Sequence, residues 1–334
     1  LNQAKSTMSQ SQFDREFGAV FTDDSSGYFK ISKMAECTIP DGEDPSVEVA
    51  GEPGAEYLLA FDPSWAESES SDDFAIQIFK LNAERQMGTV VHSYALSGAN
   101  MKDHIRYFSY ILQNFNIVMV VGDYAGGVQF ISACNESEIF KQDKLQLKII
   151  EADFERPENY NDDLQKARNQ YNKNEGKICY LRKPTSNWIR QANELLQSNL
   201  DHSRIFFASK AIDESYQVQR RKRIPIDKLK YLKSNDSVEK MSKEAKMIDF
   251  IEHQSDMIEL TKVECALIQI TTTSQGTQTF DLPSNLKRQS GRDKARKDSY
   301  SALVLGNWMI KTYFDMLNFK QKEVVSTFTP MFIN

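Results

Sequence analysis

Two stretches of uninterrupted hydrophobic residues stand out along the chain, Tyr57-Leu58-Leu59-Ala60-Phe61 and Ile117-Val118-Met119-Val120-Val121, and they run into Asp62 and Gly122-Asp123. A run with no polar alternation reads as a strand covered on both faces. Pro63, directly after Asp62, cannot continue a central strand. Phe74 to Leu81 and Val90 to Leu96 have strand length, and their short connections predict an antiparallel three-stranded unit with the first run. Ile105, Phe108 and Leu112 recur at helical spacing and predict a helix over Lys102 to Asn114. Further along, the pattern predicts a helix over Val128 to Ser137, a strand over Leu147 to Glu151 and a helix over Asn161 to Tyr171. A strand over Ile178 to Leu181, a helix over Trp188 to Leu200 and a strand over Arg204 to Phe207 follow. Such alternation predicts an α/β fold with a mixed sheet.

The two ends of the chain read differently. Residues 1–54 look like an extension: a short amphipathic helix over Ser9 to Val20, a turn at Asp23 to Gly27, a short strand over Tyr28 to Ile31, and a linker rich in acid, Pro and Gly over Asp41 to Gly54. The start at Leu1 suggests a fragment of a longer protein. After the core strands come a long charged helix over Val238 to Leu260 and a hairpin, Cys265 to Thr273 with Gln278 to Leu282, turning at Ser274-Gln275-Gly276. A last helix is predicted over Asp293 to Met316, with Ala302, Leu303, Leu305, Met309 and Tyr313 on its apolar side. The expected core therefore spans residues 55–320, with a tail over 321–334.

Composition narrows the function classes. Hydrophobic residues at 40% and charged residues at 26% of 334 positions suit a soluble globular protein. No apolar run reaches the roughly 18 residues that a membrane span needs. Cys37, Cys134, Cys179 and Cys265 are widely spread and read as reduced, mostly buried thiols. With His92, His104, His202 and His253 they show no zinc-ligand spacing. No phosphate-binding G-x-x-x-x-G-K-[ST] loop and no dinucleotide G-x-G-x-x-G occurs. The net charge is −6, yet the basic residues cluster, in Arg220-Arg221-Lys222-Arg223 and again in Lys287, Arg288, Arg292, Lys294, Arg296 and Lys297. Binding of nucleic acid depends on where the charge sits, not on its total.

The aspartates carry the candidate chemistry. Asp62 and Asp123 end two buried runs, and such strand ends are where open α/β sheets commonly bind ligands. If their strands are neighbours, the carboxylates lie roughly 5–6 Å apart. Two carboxylates that close repel, and a hard divalent cation, magnesium or manganese, relieves the repulsion. The alternative is that an Asp before Pro63 merely ends a strand in a turn. Asp298, in the first turns of the last helix, is a third candidate, with helix-dipole capping as its alternative. Ser301 and Ala302 would let this helix pack closely and bring Asp298 toward the other two. Asp293 is a possible auxiliary acid. Arg292, Lys294, Arg296 and Lys297 flank Asp298 and are placed to meet a phosphate backbone.

Leu58-Leu59-Ala60-Phe61-Asp62-Pro63, followed by Ser71-Asp72-Asp73-Phe74-Ala75-Ile76, resembles the first catalytic strand and hairpin of viral terminase large-subunit nucleases. Val120-Val121-Gly122-Asp123 resembles their second acidic strand. Phe280-Asp281-Leu282-Pro283 with Arg292 to Leu303 resembles their last hairpin and acid-bearing helix. Phe13-Asp14-Arg15-Glu16-Phe17 with Phe21-Thr22-Asp23-Asp24 resembles the segment joining the family's ATPase to its nuclease, so residues 1–54 would link to an ATPase domain outside this chain. Residues 135–262 match only loosely. The resemblance implies a ribonuclease H-like mixed sheet flanked by helices with an added β-hairpin. It implies two divalent ions, Mg2+ or Mn2+, held by Asp62, Asp123 and Asp298, and endonucleolytic cleavage of double-stranded viral DNA concatemers during packaging. Arg292, Lys294, Arg296 and Lys297 would bind DNA. The partners implied are a portal protein and a small terminase subunit, and the place of work the host cytoplasm, outside the mature virion. The family's third motif often carries adjacent acids; Lys297 and Ser299 flank Asp298 here, which leaves any fourth ligand open. Two other readings remain, a resolvase- or transposase-type nuclease with the same metal chemistry, and a non-catalytic viral assembly module in which the acids are structural.

Overall fold

The first buried run forms β1 (Tyr57–Asp62), and five of its six residues are buried because it lies at the centre of a seven-stranded sheet. The computed structural model describes residues 27–65, 71–150, 154, 159–209, 243–272, 278–287 and 295–319. β2 (Phe74–Asn82) and β3 (Met87–Leu96) extend the sheet from β1 as an antiparallel meander. The second buried run forms β4 (Ile117–Asp123), which lies parallel to β1 on its other side. β5 (Lys148–Ile150), β6 (Ile178–Arg182) and β7 (Ile205–Phe207) complete it in the order β5-β6-β4-β1-β2-β3-β7. An antiparallel meander continued by parallel strands beyond its first member is the mixed, ribonuclease H-like arrangement expected from the sequence. A separate hairpin pairs β8 (Gln269–Thr272) with β9 (Gln278–Asp281).

Alternation along β1 sorts the helices into two layers, because successive side chains leave opposite faces. Phe61 packs against Phe108 of α2 (Met101–Asn114) and Phe130 of α3 (Tyr124–Glu136). α4 (Glu138–Gln142) closes that layer through Phe140. Ala60 and Asp62 face the other way, toward α9 (Asp298–Asn318). α5 (Tyr160–Lys173), α6 (Ser186–Asp201) and α7 (Lys243–Leu267) pack around α9 on this side. The first helix, α1 (Ile31–Glu36), packs against α6 and α7, and the short α8 (Ser284–Lys287) follows β9.

The N-terminal segment differs from its expected form. Tyr28 to Ile31 is not a strand; the chain enters α1 at Ile31, with Phe29 and Met34 buried. The acid-, Pro- and Gly-rich stretch does not act as a free linker, since Val47 and Val49 are fully buried and Glu48 is 1% exposed. Tyr57 Oη donates to Glu48 at 2.7 Å and Lys80 Nζ lies 3.0 Å from it, which satisfies the buried carboxylate. The last helix begins at Asp298 rather than Asp293, which lies outside the described residues, as do the predicted helix over Ser9 to Val20 and the Arg220–Arg223 run.

Candidate active site

The register of the central strands brings the first two aspartates side by side. Phe61 pairs with Gly122 across β1 and β4, so the next residues, Asp62 and Asp123, end adjacent parallel strands. A Cβ on Gly122 would collide with the Phe61 ring, so glycine permits this close approach immediately before Asp123. Asp123 is also the N-cap of α3, and its Oδ1 accepts from the Ala125 amide at 2.8 Å. That bond fixes one carboxylate oxygen. Gly126, at φ +80°, turns the backbone just beyond and leaves room for Trp65 from the loop after Asp62.

The third aspartate arrives on α9. Ser301, one turn beyond Asp298, hydrogen-bonds Asp62. Asp298 Oδ2 accepts from the Asp73 amide at 2.6 Å, which ties the helix to the start of β2. Gly306 lets α9 lie on the sheet, since a Cβ there would collide with the Phe79 ring and stand 3.0 Å from Ala60 Cβ. Ala302, one turn into the helix, is fully buried.

Electrostatics couples the three. Burial, then the charges of Asp298 and Asp123, hold the Asp62 carboxyl well above the usual carboxylate range, against the hydrogen bond from Ser301. Burial pushes Asp298 up to about 7, opposed by the bond from the Asp73 amide. Burial also raises Asp123, and the Ala125 amide offsets part of that. Asp62 is thus the middle member of two repelling pairs. Among the described residues no three His, Cys, Asp or Glu side chains stand close enough to make a ready-formed metal cage. The donor set is nevertheless one of hard carboxylate oxygens with a shared charge penalty, and that chemistry fits a divalent cation such as magnesium or manganese.

Arg296 and Lys297, read from the sequence as DNA contacts, make ion pairs within the chain. Arg296 Nε is 3.1 Å from the Ser71 carbonyl and 3.4 Å from Asp73, and its side chain is 17% exposed. Lys297 lies 3.0 Å from Asp281, which Lys287 also meets at 2.6 Å, and these two lysines hold the Asp281 carboxyl low once its burial is overcome. Lys297 keeps 37% of its side-chain surface open. Arg292 and Lys294 lie outside the described residues. Sequence reading singled out neither the Arg296–Asp73 pair nor Glu264, an α7 carboxylate 3% exposed that accepts from the Tyr300 amide at 3.0 Å. Neither partner pattern is local in sequence, so no spacing signals it.

No family model and no curated protein matches the chain. Among solved structures it is similar to the large terminase nuclease of thermophilic phage G20c, with 11% identity and a TM-score of 0.42 over 83% of this chain and 95% of that one. The magnesium-bound form of that nuclease is similar at 10% identity and a TM-score of 0.42, over 85% of this chain and 97% of that one. The large terminase of bacteriophage HK97 is similar at 8% identity and a TM-score of 0.42, over 84% of this chain and 43% of that one. These three solved structures, each similar to the chain over more than four fifths of its length, are a large terminase and large terminase nucleases.

Proposed function

We propose that the chain is a divalent-metal-dependent endonuclease that cuts double-stranded viral DNA during genome packaging, as a terminase nuclease. The observation that carries this reading is the convergence of Asp62, Asp123 and Asp298 from two adjacent strand ends and one helix start, with Asp62 strained by both neighbours. Asp62, Asp123 and Asp298 would hold the ions, Mg2+ or Mn2+. Two such ions, when bound, supply an activated water and a stabilised leaving oxygen for phosphodiester hydrolysis. The chain's own groups orient the ligands: Ser301 donates to Asp62, the Ala125 amide to Asp123 and the Asp73 amide to Asp298. Each bond leaves carboxylate oxygen capacity for an ion, because a carboxylate offers about four acceptor sites.

The basic residues beside Asp298 would receive the phosphate backbone, with Lys297 the most open of the described ones. Within a packaging motor the partners are duplex DNA, a portal protein and a small terminase subunit, in the host cytoplasm. No helix among the described residues is long and apolar enough to cross a membrane. The reading is tested by nicking of supercoiled plasmid with manganese and with EDTA, for wild type and Asp62→Asn. Cutting that requires manganese and vanishes in the variant, while DNA binding in calcium persists, supports it. Equal cutting by both proteins removes Asp62 from the site.

A further inference from the structure

The helix that carries Asp298 begins without a cap of its own. Its N-cap position is Lys297, whose side chain makes no capping bond. The first amides of a helix have no intrahelical partner and need one from elsewhere. Here it comes from another helix, 36 residues away along the chain: Glu264 on α7 accepts from the Tyr300 amide at 3.0 Å, and from the Ser299 amide as well. Glu264 is 3% exposed and Ser299 and Tyr300 are buried, so water cannot stand in for the carboxylate. The two amides it grips belong to the residues immediately after Asp298. One residue further, Ser301 bonds Asp62.

These bonds leave the first turn of α9 held on both sides. On one side Asp298 takes the Asp73 amide and Ser301 reaches Asp62. On the other, Glu264 fixes the turn to α7. Ordinary capping acids sit next in sequence to the helix they cap, at the N-cap or N3 position. A local cap of that kind would serve helix stability alone. A cap reaching in from a separate helix also sets the position of the whole turn relative to the sheet. The position of that turn decides whether Asp298 faces Asp62.

Resting on the proposed metal chemistry, we infer that Glu264 is a positioning residue for metal binding: it clamps the first turn of the last helix so that Asp298 meets Asp62 and Asp123 in one ligand set. Glu264 itself touches no ion. The outer partners of metal ligands act in this way in general, and their loss weakens metal affinity about ten- to a hundredfold.

The test is manganese binding, followed through the paramagnetic resonance of free Mn2+, by wild type, Glu264→Gln and Glu264→Ala. Amide hydrogen exchange at Ser299 and Tyr300 is measured on the same proteins. Gln keeps the volume of Glu but replaces one of its two acceptor oxygens with an NH2 donor, so it should fold with a weakened clamp. The expected result is faster exchange at Ser299 and Tyr300 in the Gln variant and manganese affinity reduced about tenfold. Binding of duplex DNA in calcium should stay at the wild-type level. A merely structural role would lower the melting point of the variants without moving the manganese affinity of the folded fraction. Wild-type manganese affinity in Glu264→Gln overturns the inference, and so does unchanged exchange at the two amides. If wild type itself binds no manganese, the proposed function fails, an outcome distinct from either.

Discussion

Asp62 shares its surroundings with two other carboxylates, and ionising all three without a cation costs the native state stability. For Asp298, raised to about 7 from 3.8, the native protein holds its proton over a window in which the unfolded chain has lost it. Stability from this group is therefore greatest at low pH and declines as pH rises from about 4 to about 7. Asp62 and Asp123 shift in the same direction and add to the decline. His104 acts oppositely: burial lowers it from 6.5 to about 4, so its contribution is complete above 6.5 and is lost as pH falls toward 4. Melting curves in EDTA across this window should show Asp298→Asn gaining stability relative to wild type as pH rises. A constant difference at all pH values would contradict the burial penalty on the Asp298 carboxylate. Asp62 and Asp123 were legible in the sequence because each stands at the end of an apolar run. Glu264 was not, because its partners, the amides of Ser299 and Tyr300, are distant along the chain. Arg296 and Lys297 were read from charge alone, and charge does not reveal that Asp73 and Asp281 lie beside them.

Among the elements, α9 bears most directly on the site, and its close seat on the sheet depends on Gly306. Ala at a helical Gly position normally gains about 1 kcal/mol from propensity. Here the added Cβ would strike the Phe79 ring, which is fully buried and has nowhere to move. Overpacking of that kind costs about 1–3 kcal/mol. Gly306→Ala should therefore lower the melting point and, by lifting the helix that carries Asp298, weaken manganese binding as well. A melting point above wild type would show that the helix can shift without loss. The central strands and α2 were legible because unbroken apolar runs and helical spacing are strong local signals. The segment over Pro45–Ala50 was not, because its Pro, Gly and acids mimic a linker. Its packing depends on Tyr57 and Lys80 satisfying Glu48, and those residues belong to β1 and β2, further along the chain. The helical form of Ile31–Glu36 was missed for a similar reason: Tyr28 to Ile31 has strand-like composition, and the burial of Phe29 and Met34 against the core decides otherwise.

For the whole molecule, a net charge of −6 opposes association with DNA, so the proposed function requires the site to attract phosphate locally. Lys297 is the described basic residue beside Asp298 with the most open side chain, while Arg296 is spent largely on Asp73 and the Ser71 carbonyl. Lys297→Ala should flatten the log–log salt dependence of duplex binding by about 0.9, the value of one phosphate contact. Arg296→Ala should leave that slope nearly unchanged and lower stability instead. Equal slopes for wild type and Lys297→Ala would mean that Lys297 serves the carboxylates of its own chain, Asp281 and Asp62, and no phosphate. A cation that binds the native state alone also stabilises it, by about 2.7 kcal/mol at 100 times its dissociation constant. Manganese should accordingly raise the melting point of wild type and not that of Asp62→Asn. Anomalous scattering from crystals soaked in manganese would show directly whether the three aspartates hold the ion. Manganese peaks are expected against Asp62, shared with Asp123 and Asp298, and should be lost in Asp62→Asn. Manganese bound elsewhere, or no peak at Asp62 in wild type, would contradict that role for the three aspartates.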